Sequence, residues 1–255
     1  MSWIIDLISW ALSLWMYWLP LLTFMIGLGW GAQGAKERQD NQFRRLTRRI
    51  EVPKTWRSGE IKVPLDGRPL TRPEMAVAAL VVRVDAGHGS GVCVSSHGLV
   101  LTNAHVVGNA TVVEVEDEKT SHLGVVVKVR ESRDVAAIYV ETSLTAAAIH
   151  EDEPGVGDDI YVAGTPMHTD NKHLLTRGVI SKIGLFDRKK FIHMDAGIAP
   201  GNSGGPAFDG EGRLVGLTVA IQTDNGERTH IGLAIPIAEA LAALKIEGEP
   251  LAAAT

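Results

Sequence analysis

The sequence predicts an all-β protein of two small antiparallel barrels, finished by one C-terminal helix and preceded by an N-terminal transmembrane helix. Three observations carry this. Eleven short runs rich in valine and isoleucine recur every 8–15 residues from residue 75 onward, punctuated by Gly, Asn and Asp. Only "PIAEALAALKI" in that region has helical spacing, with Ile237, Leu241 and Leu244 on one face. No residue between positions 7 and 35 is charged.

The uncharged segment comes first. "LISWALSLWMYWLPLLTFMIGL" is 22 residues long, and a helix needs about 20 apolar residues to cross a bilayer. Five of the six tryptophans fall in the first 30 residues, and Trp3 and Trp30 stand near the ends of the run, where indole rings favour the interface. Pro20 lies inside it, where a membrane helix can kink without ending. A signal peptide cut after Gly34 is the alternative, but the run is longer than an h-region and lacks a positive leader. The expectation is an anchor over residues 1–35 that contacts the membrane through residues 7–30. Six Lys/Arg follow Trp30 within 20 residues and none precedes it. That bias places the C-terminal bulk on the cytoplasmic side of a membrane, expected to be a bacterial inner membrane.

Residues 36–72 read as a basic juxtamembrane helix and linker. Phe43, Leu46 and Ile50 repeat at helical spacing among arginines, a pattern suited to anionic lipid against residues 36–50. A solvated linker or a contact between subunits fits three residues equally well. The basic character is local. The charge is −1 before residue 36 and +5 over residues 36–57, so a total of −5 leaves −9 for the remainder. An acidic bulk argues against nucleic acid as partner. The single cysteine, Cys93, excludes an internal disulfide framework. Lying in "GVCV", it reads as a small buried apolar residue.

Residues 73–245 are expected to form the β domain and residues 246–255 a tail. Runs such as "LVLTNAHVV", "ATVVEVE" and "LVGLTVAI" have the length and β-branched content of strands. Eleven of them over some 170 residues suit two barrels better than one sheet. Without strand–helix alternation a doubly wound α/β fold does not arise.

Within this frame "GIAPGNSGGPAF" surrounds Ser203 with four glycines and two prolines. A serine hydroxyl becomes a nucleophile only beside a base that a carboxylate orients. It also needs backbone N–H groups converging on the oxyanion, which glycine turns permit. Of nine histidines, His105 alone sits where a strand ends and a turn begins, in "LVLTNAHVV". Asp134 lies 29 residues on, at the head of "DVAAIYV". A carboxylate at the head of an apolar strand implies a partner. The order His…Asp…Ser is one of the convergent triad orders.

Together "GSGVCVSSHGLVLTNAHVV", "RDVAAIYV", "MDAGIAPGNSGGPAF" and "IGLAIPI" resemble the trypsin-like (chymotrypsin-fold) serine proteases, closest to the HtrA/Deg branch without a PDZ domain. "AGTP" and "TRGVIS" resemble that branch too. The resemblance covers roughly residues 75–240. It implies two six-stranded barrels with the active site in the cleft between them. Ser203 then resembles the nucleophile, His105 the general base and acid, and Asp134 the residue that orients the imidazole. The N–H groups of Gly201 and Ser203 resemble the oxyanion hole. Gly197, Ala220 and Ile221 fall at the substrate pocket, and the "QTDNGERTH" loop could shape it. An uncharged Gly197 at the pocket floor implies cleavage after small or medium apolar residues of a protein or peptide substrate. The resemblance alone implies a homo-oligomer.

One departure matters. The residue before the nucleophile is Asn202, not the aspartate that pairs with a new N-terminus in secreted digestive members, so no zymogen cleavage is expected. No cofactor and no metal are expected: His168 and His173, with Asp170 between them, are loosely spaced with no third ligand apparent, and read as a solvated loop between two strands. The competing functions are an inactive trypsin-fold binding module and a membrane tether with a structural β domain.

Overall fold

The computed structural model describes residues 50–249, apart from 55, 57–58, 85–86, 167–171 and 225–226; of residues 220–224 and 227–230 it describes the backbone. The expected anchor over residues 1–35 lies outside the described residues, as does the basic helix over 36–50 except for Ile50. Among the described residues no helix is long and apolar enough to cross a membrane.

Twelve strands close into two antiparallel barrels. The first contains β2 (Leu80–Val84), β3 (Gly87–Ser95), β4 (Leu99–Thr102), β5 (Val112–Glu116), β6 (Ser121–Arg130) and β7 (Val135–Val140), in the order β2-β3-β4-β7-β6-β5. The second contains β8 (Asp159–Gly164), β9 (Leu174–Phe186), β10 (Lys189–Met194), β11 (Pro206–Asp209), β12 (Leu214–Asp224) and β13 (Glu227–Pro236), in the order β10-β13-β12-β11-β8-β9. Closure leaves neither sheet with an open edge. The 222–230 stretch expected as a loop is mostly strand, the distal part of the β12–β13 hairpin.

The apolar runs are continuous rather than alternating because both faces of many strands are buried. In β4, Val100 points into the first barrel, while Leu99 and Leu101 join a cluster with Phe208, Leu217 and Ile235 of the second barrel. In β7, Ala136, Ile138 and Val140 face inward, and Val135 and Ala137 join that shared cluster. Ile160, Val162, Ile180, Ile192 and Met194 fill the second barrel. Fully burying a side chain of this size contributes roughly 1.5–3 kcal/mol.

Among the elements of the described residues are the short helices α1 (Arg72–Val77), α2 (Ala104–Val107) and α3 (Ile237–Leu244). The last matches the expected C-terminal helix. The first occupies the front of "AVAALVVRV", which reads as strand by composition. It begins at Thr71, whose hydroxyl donates to Glu74 at 2.7 Å, with Pro73 in its first turn.

Two further strands lie in the stretches read as linker and tail. β1 (Ile61–Val63) pairs in parallel with β14 (Ile246–Gly248). Between β1 and α1 the chain straps both barrels. Arg68 bridges Ala147, and the Leu70 amide donates to the Gly212 carbonyl at 3.0 Å.

Candidate active site

His105 sits on α2, one turn of helix rather than the open turn its sequence suggested. Asp134 directly precedes β7. Its backbone is left-handed, at φ 60°, uncommon for a residue with a Cβ. A tight turn holds it there: the amides of Arg133 and Asp134 each donate at 3.1 Å, to the carbonyls of Arg130 and Glu131. The Asn103 Nδ2 group adds a bond to the Asp134 carbonyl at 2.9 Å.

The structure brings His105 and Asp134 together. Asp134 Oδ2 lies 2.8 Å from His105 Nδ1 and Oδ1 lies 3.1 Å away. The His105 backbone N–H also donates to Oδ1, at 2.9 Å. This arrangement fixes the ring and turns Nε2 the opposite way. The hydrogen bond the ring donates to Asp134 raises the imidazole pKa above its ordinary 6.5, against the opposing effect of burial.

Ser203 lies between β10 and β11, in the turn that brings the chain back to the interbarrel face. Its hydroxyl donates to the Val219 carbonyl at 2.8 Å. Among the described residues no hydrogen bond joins Ser203 to His105. Gly201 is left-handed at φ 101°. The Asn202 amide donates to Ala199 at 3.0 Å, and the Gly205 amide to Asn202 at 2.9 Å. The amides of Gly201 and Ser203 find no acceptor among the described residues. Gly204 has φ 81°, and a Cβ there would come within 2.2 Å of Thr102 Oγ1.

Gly197 is exposed, and the nearest atom to an added Cβ would be Thr176 Cγ2 at 3.7 Å. The Thr176 hydroxyl donates to its carbonyl at 2.8 Å. Ala220 and Ile221 lie on β12 and pair with Leu233 and Gly232; their side chains are outside the described residues. Ile198, not singled out from the sequence, packs between Gly232 and the second-barrel core: an added Cβ on Gly232 would lie 2.3 Å from its Cδ1. Asn202 is 2% exposed and packs on Gly164. A carboxylate in its place would be buried, which is costly without a cation.

Two other residues escaped sequence reasoning. Arg133 is 8% exposed. Its guanidinium stands 5.1 Å from the centre of the Phe191 ring, donates to the Lys190 carbonyl, and approaches Glu239 at 3.5 Å. The turn that carries Asp134 is thereby fastened to β10 and α3. Ser90 on β3 is fully buried beside the Ser203 turn. No sequence pattern pointed to Arg133, whereas Ser90 lies in the "GSG" that opens the first resembling block.

Among the described residues no group of His, Cys, Asp and Glu could hold a metal; His168 and Asp170 lie outside them. Cys93 is 1% exposed, and burial pushes its thiol pKa up to about 12, so it carries no reactive thiolate.

Known proteins resemble this chain in sequence and in fold. The model of the trypsin-like peptidase domain matches residues 89–217. The putative serine protease HhoA of Synechocystis is 37% identical over 171 residues, covering 62% of this chain and 42% of that protein. The magnetosome formation protease MamE of Magnetospirillum gryphiswaldense is 36% identical over 161 residues, covering 58% of this chain and 21% of that protein. The chain thus spans less than half the length of these relatives. A solved structure of the HtrA-type protease AlgW with a decapeptide superposes with a TM-score of 0.60 at 25% identity, covering 68% of this chain and 65% of that one. The matched segment is half of the sequence and contains His105, Asp134 and Ser203, and on it the chain belongs to the family of trypsin-like peptidase domains.

Proposed function

We propose that the chain is a membrane-anchored serine endopeptidase of HtrA/Deg type, with His105, Asp134 and Ser203 as its catalytic residues. The observation that carries this is the double hold of Asp134 on His105, through ring and backbone. It leaves Nε2 as the free nitrogen of an imidazole kept in one tautomer.

Rotation of the Ser203 side chain away from Val219 would bring its proton to Nε2. Oγ then attacks the substrate carbonyl carbon as the proton passes to His105. The oxygen that gains charge is held by the amides of Gly201 and Ser203. Collapse of this intermediate breaks the C–N bond, and His105 returns the proton to the leaving amine. A water, deprotonated by His105, hydrolyses the acyl ester and restores Ser203. No step requires a cofactor. Gly197 and Ile198 offer an uncharged pocket, which supports small or medium apolar residues before the cleaved bond. The decapeptide bound to AlgW supports a peptide substrate. Residues 7–30 would hold the protease domain at a membrane, on the cytoplasmic side by the flanking charges, and self-association of the domain belongs to the same proposal.

Labelling by a fluorophosphonate tests the triad. Wild type should label, and Ser203→Ala and His105→Ala should not. A folded wild-type chain that neither labels nor cleaves peptides would leave a binding module. Dominant cleavage after Lys or Arg in a peptide library contradicts the apolar pocket.

A further inference from the structure

We propose that Ser90, on β3 of the first barrel, is a positioning residue for the oxyanion donors at Gly201 and Ser203. This role presupposes the oxyanion assignment proposed above.

Ser90 is fully buried, and each of its polar groups is engaged. Its N–H donates to the Ser203 carbonyl at 2.8 Å. Its hydroxyl donates to the Gly201 carbonyl at 2.8 Å and accepts from the Thr165 amide at 3.2 Å. Its carbonyl accepts from the Thr102 hydroxyl at 2.6 Å. Thr165 follows β8, and Thr102 ends β4, directly before Asn103 and the helix that bears His105. One side chain in the first barrel therefore reaches the nucleophile turn in the second.

The peptide planes explain why this matters. The Asn202–Ser203 plane, which carries the Ser203 N–H, is held by the bond from the Gly205 amide to the Asn202 carbonyl. The Gly201–Asn202 plane is held at one end by Ala199 and at the other by the Ser90 hydroxyl. Among the described residues no hydrogen bond holds the Pro200–Gly201 plane, which carries the Gly201 N–H. Its direction depends on the torsion at Gly201, the residue type with the most conformational freedom. Anchoring the Gly201 carbonyl fixes the following plane as the reference from which the Gly201 torsion, at φ 101°, aims that N–H. Removing the Ser90 hydroxyl leaves the Gly201 carbonyl and Thr165 amide without their partner and lets the Gly201 donor turn away.

The test compares wild type and Ser90→Ala as full chains in detergent, with rates expressed per site titrated by fluorophosphonate and Ser203→Ala as the unlabelled control. In Ser90→Ala, kcat should fall about 10–100-fold, short of the 10²–10³ for outright loss of an oxyanion donor. KM should stay within about twofold. A peptide aldehyde, whose adduct places an oxygen on the same donors, should weaken by the factor seen in kcat. A buried serine that served structure alone would lower the melting temperature and the titrated fraction while leaving kcat per site unchanged; that result overturns the proposal. If Ser90→Ala does not fold, Ser90→Cys, a weaker donor, should show the same loss of kcat, and full kcat per site overturns it. Wild type that cleaves while Ser90→Ala matches it rejects this role alone. A folded wild type that neither labels nor cleaves rejects the endopeptidase assignment and this role with it.

Discussion

Asp134 grips His105 by two routes: one carboxylate oxygen accepts both the backbone amide, at 2.9 Å, and the ring nitrogen, at 3.1 Å, while the other oxygen meets the ring at 2.8 Å. Asp134→Asn keeps the shape but offers an N–H where a carboxylate oxygen accepts, which favours the wrong imidazole tautomer. We expect kcat to drop by about 10⁴-fold with the fold intact, checked by steady-state kinetics beside circular dichroism. Retention of even a tenth of the activity contradicts the role given to Asp134.

The same pair sets the pH response. His105 must be neutral to act as base, and Asp134 raises its pKa above 6.5. The acid limb of kcat/KM should therefore lie above pH 6.5 in wild type and move to lower pH in Asp134→Asn, where residual activity permits measurement. The stability linkage has the opposite sense. A raised folded-state pKa contributes stability that is fully present below pH 6.5 and is lost as pH rises through the folded value. Denaturant melts at several pH values, with His105→Ala as reference, check this.

Gly204 admits no side chain. Its φ of 81° disfavours any L-residue, and a Cβ would lie 2.2 Å from Thr102 Oγ1 and 2.3 Å from the Ser90 carbonyl oxygen. Gly204→Ala should destabilise the domain by at least about 2 kcal/mol in urea unfolding. A wild-type midpoint is the contrary outcome.

Arg133→Met retains bulk against Phe191 but gives up the bond to the Lys190 carbonyl and the ion pair with Glu239. The loss should be about 1 kcal/mol, the low end for leaving a part-buried acceptor without its donor. Because the left-handed Asp134 adjoins it, kcat should fall more than KM rises. A change in stability with untouched kinetics means the clamp does not reach Asp134.

Gly232→Ala would press on Ile198, whose Cδ1 lies 2.3 Å from the position of the new Cβ. Ile198 ends in a flexible arm, so the fold should survive while the pocket narrows. Peptide-library profiling should then show a shift from valine and leucine toward alanine before the cut. An unchanged profile removes Gly232 and Ile198 from the pocket.

The barrels were legible because burial on both strand faces leaves apolar runs that composition alone reveals. The 206–209 strand was not, because "PAFD" is four residues long and directly follows the glycine-rich nucleophile turn. Neither were "IKV" and "IEG", three residues each, which become strands by meeting one another across more than 180 residues of sequence. His105, Asp134 and Ser203 stood out because each sits in a local pattern that a reader can see. Arg133, Ile198 and Ser90 are identified by what they touch. Their partners at Lys190, Gly232 and Gly201 lie 57, 34 and 111 residues away along the chain, and one residue's spacing from the next gives no sign of them.

The parallel pairing of Ile61–Val63 with Ile246–Gly248 has a mechanical consequence. Tension that draws the front of the first strand and the back of the second apart acts along the strands in opposite directions. It loads their hydrogen bonds together in shear, including those from the Ile61 amide to Lys245 and from the Glu249 amide to Val63. The bonds must then fail at once rather than unzip singly. A pull on Ile61 and Gly248 themselves is therefore resisted by the whole clasp, whereas Trp56, packed on Tyr139 of β7, passes load from further upstream to the first barrel directly.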